Sequence, residues 1–410
     1  MNRYTRAVTV ALLLTVVLAG CAPAATPTPA GPKVITFGCA VEMTGAKSTE
    51  GMAMKDGLDL WVDWTNSHGG IEVGGESYNV EIIYYDDESD PQTAAKLTEK
   101  LITEHGTKLL FGPFSSAITI ATAAIGEKYE ALTMATLANG EDVYNQGYKY
   151  VFSCLPPAGN YLRLLIEMAA TQLDPKPETC VVLALDDPFG LSCAEGIDRY
   201  AREAGFEVLL YEKYPSDAKD LSSLLTKVKG LEPDMILASS LFSQAMLITR
   251  QAKELNVCAP LLSFTVGPNF PEFIESLGPD ADYVFCSEWW LPSMGWSCPV
   301  FGSAKEWGDM FVERYGYIPS YHAAAGSAAG VLYKLAIEKA DSLEVDKIRD
   351  ALASLDVEIF WGPHAFDERG RNIKGGSAPI QIQDGKLVAV YPPEMAEADP
   401  IYPFPCWDER

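Results

Sequence analysis

Residues 109–120 read LLFGPFSSAITI, an apolar run that ends in Gly-Pro and a second apolar run that opens with two serines. The first run predicts a buried strand, and the second predicts a helix that begins near Ser115 and Ser116. Three roles suit a serine pair at such a turn: a nucleophile, a helix cap, or an anion-binding helix start whose free N–H groups face a ligand. The rest of the chain has to decide among these three roles.

The strand-then-helix unit recurs along the chain. Strands are predicted at residues 34–41, 79–87 and 179–185, and the helix predicted at 51–66 repeats its apolar residues with a period of 3.6. Short apolar strands alternating with amphipathic helices predict an α/β fold with parallel sheets covered by helices on both faces. The series is too long for one sheet of ordinary width, so we expect two doubly wound lobes. Residues 377–391 predict a closing hairpin with Asp-Gly at its turn.

The first residues carry an export signal. Arg3 and Arg6 precede the apolar run 7–20, which has the length of a secretory core and ends in Leu-Ala-Gly-Cys. That ending resembles a bacterial lipobox, so we expect a lipoprotein signal peptide at 1–20 and lipidation of Cys21. Residues 22–32 are rich in Pro, Ala and Thr and predict an extended tether. The body is then expected outside the cytoplasm, anchored to the cell membrane by its acyl chains.

Charge and cysteine content narrow the class of partner. The 410 residues include 31 Lys and Arg against 56 Asp and Glu, a formal net charge of −25. Such a charge argues against nucleic acid as a partner. Eight cysteines remain besides Cys21, and an exported chain can pair them, although spacing does not fix the connectivity. The pair we favour is Cys286 with Cys298, on either side of a Trp-rich loop.

The usual catalytic motifs are missing from the sequence. There is no GxSxG elbow, no Walker A loop, no GxGxxG after a strand, and the scattered histidines make no HExxH or Cys/His metal spacing. The acidic pairs 86–87 and 186–187 end predicted strands, where we interpret them as turn and helix-capping residues and leave a binding role open for Asp187. We therefore expect no enzyme, no metal and no cofactor, and a nucleophilic Ser115 or Ser116 lacks a base.

An ordered series of segments then carries a family resemblance. The segments are VEMTGAKSTEG (41–51), FGPFSSA (111–117), DDPFG (186–190), PDMILASSLFSQAMLITRQAKEL (233–255) and WGPHAFDERGR (361–371). Together they resemble the type I periplasmic solute-binding proteins of branched-chain amino acid and amide ABC importers, relatives of the leucine/isoleucine/valine-binding proteins. The resemblance runs from about Ile35 to Val390.

The resemblance implies two Rossmann-like lobes joined by a three-strand hinge and closing on a solute. Lobe 1 is expected at 33–153 plus 284–356, and lobe 2 at 156–281 plus 360–405. Such a protein is a monomer without catalytic chemistry that captures a small-molecule solute and delivers it to ABC permease subunits. A sensory module of the same fold that signals to a membrane receptor is the alternative.

The resemblance also places the ligand contacts. Ser116, with Ser115 as its structural neighbour, falls where the family binds the ligand carboxylate. The remaining positions are the turn Leu137, Ala138 and Asn139 in lobe 1, and Phe189 and Leu241 in lobe 2.

The sequence departs from the family where amino-acid binders place an acid for the ligand ammonium. Here that stretch is SFTVG, which offers Thr265 but no carboxylate. Either Glu50 or Asp187 takes over the ammonium, or the ligand is an amide, a urea or an organic acid. Trp289, Trp290 and Trp296 either line a pocket for an apolar or cationic group or pack between the lobes or at the surface.

Overall fold

The computed structural model describes residues 33–409. The predicted signal peptide, lipidated cysteine and tether lie outside the described residues. From residue 33 to residue 409, no helix is both long enough and apolar enough to cross a membrane.

The first sheet forms the centre of lobe 1. Its strands are β1 (Lys33–Val41), β2 (Ile71–Val73), β3 (Glu76–Asp86), β4 (Leu109–Phe111), β5 (Leu132–Ala135) and β6 (Val151–Ser153). They lie in the order β2-β3-β1-β4-β5-β6, and all neighbours are parallel except β2 and β3. The central strands are buried on both faces, which explains their uninterrupted apolar sequences. The short strand β2 lies in a stretch for which the sequence predicts only turns.

Helices cover both faces of this sheet. Those that follow its strands are α1 (Ser48–Ser67), α2 (Pro91–His105), α3 (Ser116–Lys128) and α4 (Glu141–Tyr144). Helix α2 begins at an Asp90 cap, whose side chain accepts a hydrogen bond from Thr93 N, and ends at Gly106 in the left-handed region.

The second sheet forms the centre of lobe 2. Its strands are β7 (Thr179–Asp186), β8 (Glu207–Pro215), β9 (Met235–Ala238), β10 (Leu261–Phe264) and β11 (Phe285–Glu288), and its helices are α5 (Arg163–Thr171), α6 (Pro188–Glu203), α7 (Ser222–Leu231), α8 (Phe242–Glu254) and α9 (Pro271–Leu277). The two doubly wound α/β lobes confirm the predicted fold class.

The chain then returns to lobe 1 and finally to lobe 2. The later elements are β12 (Ser297–Cys298), β13 (Gly302–Ser303), α10 (Ala304–Tyr315), α11 (Tyr321–Ala340), α12 (Val345–Ala353), β14 (Asp356–Ile359), β15 (Gly362–Ala365), β16 (Ala378–Gln383) and β17 (Lys386–Ala389). Helix α11 packs on the first sheet, where Tyr333 Oη donates to Leu110 O and Leu132 O. The hairpin β16–β17 turns at Asp384 and Gly385, both with positive φ, and completes the order β17-β16-β11-β10-β9-β7-β8.

The predicted boundary of lobe 1 at residue 284 is wrong for one strand. Strand β11 pairs with β10 on one side and with β16 on the other, so it belongs to the second sheet. Its apolar side chains complete the core of lobe 2, and the chain passes back to lobe 1 only after Glu288.

The favoured cysteine pair is also wrong. Cys286 is a buried free thiol in β11 and Cys298 is free in β12, whereas Cys258 and Cys406 form a disulfide with a Cα–Cα distance of 5.5 Å. This bond ties the C-terminal segment to the loop that precedes β10. The closed loop spans 148 residues, beyond the reach of any spacing argument.

Candidate functional site

The start of α3 differs from the predicted serine cap. Ser115 is the N-cap residue, but its side chain makes no capping hydrogen bond. The carboxylate of Glu42, at the end of β1, accepts hydrogen bonds from Phe114 N at 3.0 Å and Ser115 N at 2.9 Å. Ser116 Oγ instead accepts from Gly140 N at 3.1 Å, so it joins the two turns of lobe 1 that lie at the carboxyl edge of the sheet.

Glu42 belongs to a pair of buried carboxylates. Asp87, at the end of the neighbouring strand β3, is fully buried, and only one of its oxygens has a hydrogen-bond partner, Ser89 N at 2.8 Å. The pKa of both groups is raised to about 7, mainly by burial and, in Asp87, also by the charge of Glu42. The site therefore holds a carboxyl pair whose ionised form is disfavoured.

This pair makes the stability of the protein depend on pH. A carboxyl group whose pKa is raised in the folded state stabilises the fold fully below its unfolded value near 4, and that contribution is lost as the pH rises through about 7. We expect Asp87→Asn to raise the free energy of unfolding at pH 8 by up to about 4 kcal/mol, since the pKa of Asp87 is raised from 3.8 to about 7 and one pKa unit corresponds to ~1.4 kcal/mol. At pH 4 the variant should match the wild type.

Urea unfolding at pH 4, 6 and 8 measures this difference. The neighbouring Asp86→Asn is the control: burial alone would raise the pKa of Asp86, but its hydrogen bonds from Glu88 N, Met43 N and Thr44 lower it on balance. Removing that charge should not stabilise the protein at pH 8. An Asp87→Asn variant no more stable than the wild type at pH 8 would contradict the assignment of a strained carboxyl pair.

A small cavity lies between the lobes at the start of α3. Lobe 1 and the crossing segment supply Phe114, Ser115, Ser116, Leu137 and Tyr161, and lobe 2 supplies Asp187, Phe189 and Leu241. Six of the ten predicted contact residues therefore come together here. The volume open to a water-sized sphere is about 10 Å³, which on that measure is room for one water molecule. The lobes are thus nearly closed on each other at this point.

Asp187 both caps a helix and lines this cavity. Its carboxylate caps α6 by accepting a hydrogen bond from Gly190 N at 2.6 Å, as predicted from the Asp-Pro turn. Burial raises the pKa of Asp187, while the bond from Gly190 N opposes that change. The side chain still faces the cavity, beside Phe189.

The four other predicted residues lie outside the cavity lining. Ala138 and Asn139 are buried behind it, and Asn139 Nδ2 donates to Pro156 O. Thr265 exchanges hydrogen bonds with Ser240, which holds the loops after β9 and β10 together.

Glu50 is a buried bridge between the lobes. It lies in the first turn of α1 and accepts a hydrogen bond from Phe242 N, at the first residue of α8, at 3.1 Å. Its carboxylate therefore stabilises the positive end of the α8 dipole from across the lobe boundary.

Sequence reasoning missed Phe114, Tyr161 and Glu42. Tyr161 lies in the crossing segment, packs edge-on against Phe189 at 5.3 Å between ring centroids and hydrogen-bonds Tyr321 Oη at 2.8 Å. Phe114 adjoins the serine pair, so the signal for it was present in the sequence. Among the tryptophans, Trp289 packs on Tyr161, while Trp290 lines a separate cavity.

A two-lobed α/β protein with a cavity between the carboxyl edges of its sheets has the architecture of a solute-binding protein. Comparison with known proteins agrees with this class. The family model described as periplasmic binding protein matches residues 34–386. The Leu/Ile/Val-binding protein homolog 8 of Brucella melitensis is 28% identical over 378 residues, covering 89% of this chain and 92% of that relative.

Solved structures share the fold. The substrate-binding protein LivJ of a branched-chain amino acid transporter from Streptococcus pneumoniae, in complex with isoleucine, superposes with a TM-score of 0.76 at 23% identity, covering 87% of this chain and 98% of that one. A solute-binding protein of an ABC transporter from R. palustris, in complex with benzoate, gives 0.72 at 19% identity, with 87% and 95% covered. The chain belongs to the periplasmic binding protein family, as a type I solute-binding protein of the branched-chain amino acid ABC transporter kind. These relatives are binding proteins and not enzymes, and the family works outside the cytoplasm.

Proposed function

We propose that this protein is the lipid-anchored, extracytoplasmic substrate-binding subunit of an ABC importer. It captures an amino-acid-like or amide solute between its two lobes and presents it to the permease subunits. The observation that carries the proposal is the cavity at the start of α3, where Ser116 faces Phe189 across the lobe boundary. The lipobox-like ending at Cys21 and the tether that follows support the anchor.

Ser116 is suited to bind an oxygen atom of the solute. Its Oγ already accepts a hydrogen bond from Gly140 N, so its hydroxyl proton is free to be donated to a carboxylate or amide oxygen. The first N–H groups of a helix have no partner within the helix, and those of α3 add donors beside the hydroxyl. The aromatic rings of Phe114, Tyr161 and Phe189 surround the apolar part of the solute.

The acidic groups near the cavity determine which solute charges the site favours. Asp187 faces the cavity and is the partner that we assign to a solute ammonium, since Glu50 is committed to the start of α8. Glu42 lies behind the start of α3, where burial already disfavours its ionised form, and repulsion by a solute carboxylate would disfavour that form further. A neutral amide oxygen avoids this repulsion, which is why amides remain in the proposed solute class beside amino acids.

Entry of the solute requires the lobes to separate. A cavity of about 10 Å³ admits no molecule the size of an amino acid. The chain crosses between the lobes three times, after β6, after β11 and before β16, and these crossings form the hinge of the proposed motion.

A thermal-shift panel tests the function directly. Leucine, isoleucine, benzoate and their amides are added to the purified protein, and a bound solute should raise the Tm, by mass action on the folded state. A panel extended to ureas and short organic acids that produces no shift would count against the proposal.

Ser116→Ala should weaken binding of the solute that gives the largest shift. Loss of one hydrogen bond to an oxygen costs about 1 kcal/mol for a neutral solute and up to ~3 kcal/mol for a carboxylate, or roughly five- to a hundredfold in Kd. Calorimetric titration measures the change, with the exposed Ser67→Ala as the matched control. Equal affinity of the Ser116 variant and the wild type would remove this residue from the site.

A further inference from the structure

A second and much larger cavity lies between the lobes away from the serine pair. It measures about 720 Å³ and shares no lining residue with the cavity at the start of α3. Lobe 1 contributes the segment after β11, helix α10 and residues 318–320, and lobe 2 contributes α9 and the β16–β17 turn. Its size is typical of sites that enclose a small molecule.

The walls of this cavity are mainly apolar and well supported. Trp290 is buried, packs edge-on against Trp307 at 4.9 Å between ring centroids, and lies so close to Gly308 that a Cβ there would be 3.3 Å from its ring. Opposite it, lobe 2 supplies Ile274 and Leu387. The tryptophan ring is therefore held in a fixed orientation as one wall.

A buried carboxylate provides the polar end. Glu288 is 2% exposed, and its Oε1 accepts a hydrogen bond from Tyr321 N at 3.1 Å. The side chain of Asn269 is near enough to lower the pKa of Glu288 against the effect of burial, but no described residue makes a hydrogen bond of good geometry to Glu288 Oε2. Burial holds the pKa of Glu288 well above its usual range. Ser320 Oγ and Asn269 Nδ2 also line the cavity without a hydrogen-bond partner among the described residues. A buried polar atom without a hydrogen-bond partner costs free energy unless a ligand supplies that partner.

The charge around the cavity favours a cation. Besides the Glu288 carboxyl group, whose ionisation burial opposes, its lining contains Glu275, Asp309 and Glu397 against two lysines, an excess of one negative charge. One of the two lysines already has an anionic partner, since Lys305 Nζ forms an ion pair with Asp309 at 2.7 Å. A cation over an indole face gains further attraction from the ring quadrupole.

We propose that this cavity is a second binding site, distinct from the solute cleft, for a small organic cation in which an ammonium group is carried on an apolar body. The ammonium donates a hydrogen bond to Glu288 Oε2, and the apolar body packs between Trp290 and Ile274. Because both lobes line the cavity, an occupant would connect them.

A matched pair of probes tests the site. 2-Phenylethylamine is a cation at pH 8, as primary amines are, and 2-phenylethanol is its neutral counterpart of nearly the same shape. Ligand-observed NMR titration of the full-length protein should give a Kd for the amine about tenfold or more below that of the alcohol, the gain expected of a charged hydrogen bond. Equal affinities, or binding of neither probe, would overturn the proposal.

Variants locate the binding. Glu288→Gln retains an acceptor for Tyr321 N, and it should abolish the preference for the amine. Ile274→Lys places a cation on the half-buried wall in α9 and should abolish amine binding by charge repulsion. Because this substitution leaves the buried network around Glu288 in place, it tests the site even if the Glu288→Gln variant does not fold. Ser116→Ala should leave amine binding unchanged. An amine preference that survives Glu288→Gln, or amine binding that is lost in Ser116→Ala, would contradict the assignment.

Discussion

Replacing Gly140 with leucine should weaken solute binding by up to roughly a hundredfold while both lobes remain folded. Gly140 lies where the turn after β5 meets lobe 2, and a Cβ there would be 3.1 Å from Pro188 O and 3.1 Å from Ser116 Oγ. The backbone at Gly140 has φ −63° and ψ 139°, which any residue adopts, so the expected effect comes from the side chain alone. A leucine side chain would therefore separate the lobes at the proposed site.

The expected size follows from the cost of overpacking. Forcing extra methylene groups into a packed contact costs about 1–3 kcal/mol, and 3 kcal/mol corresponds to roughly a hundredfold in Kd. Calorimetric titration gives the affinity and circular dichroism gives the Tm, which should change little because each sheet keeps its own core. The matched control is Gly230→Leu in α7, where a Cβ meets no atom within 4 Å. Undiminished binding in the Gly140 variant would mean that this junction does not close on the solute.

Gly57→Ala should be among the most destabilising single substitutions in the protein. Helices α1 and α11 pack so closely that a Cβ at Gly57 would lie 1.8 Å from Ala323 O, a backbone atom that cannot rotate away. The contact continues at Gly326, where a Cβ would be 2.3 Å from Met54 O, and at Gly330, where it would be 2.1 Å from the ring of the buried Trp61. The two helices would have to move apart and expose the core between them.

We expect this change to cost more than about 3 kcal/mol, the upper part of the range for overpacked cores. The urea midpoint measured by circular dichroism should fall accordingly. Gly230→Ala, at an exposed position in the last turn of α7, provides the control with the opposite sign, because alanine in a helix is more favourable than glycine by up to about 1 kcal/mol. A Gly57→Ala variant with an unchanged midpoint would contradict the close helix packing.

The sequence predicts the two-lobed fold well because the patterns that define strands, helices and turns lie within short stretches of the chain. The strand and helix periods, the Asp187 cap and the Asp384-Gly385 turn each depend on a few neighbouring residues, and the structure contains all of them. The family resemblance adds the positions of Ser116 and Phe189, which the fold brings to one cavity.

The features that the sequence does not predict depend on contacts between residues that are far apart along the chain. Glu42 reaches the N–H groups of Phe114 and Ser115, 72 and 73 residues away, because β1 and β4 are parallel neighbours whose carboxyl ends meet. A serine-rich helix start therefore has a remote carboxylate as its hydrogen-bond acceptor. The partner of Cys258 and the sheet that contains β11 are unpredictable for the same reason, since both depend on contacts made across the whole chain.

A crystal structure of the protein saturated with whichever of leucine, isoleucine, benzoate or their amides gives the largest thermal shift would test the central claim most directly. We expect the solute to lie between the lobes, with an oxygen atom within hydrogen-bonding distance of Ser116 Oγ and its apolar part against Phe189. A solute bound elsewhere, such as in the cavity beside Trp290, with no contact to the Ser116 hydroxyl, would contradict the assignment of the cavity at the start of α3 as the solute site.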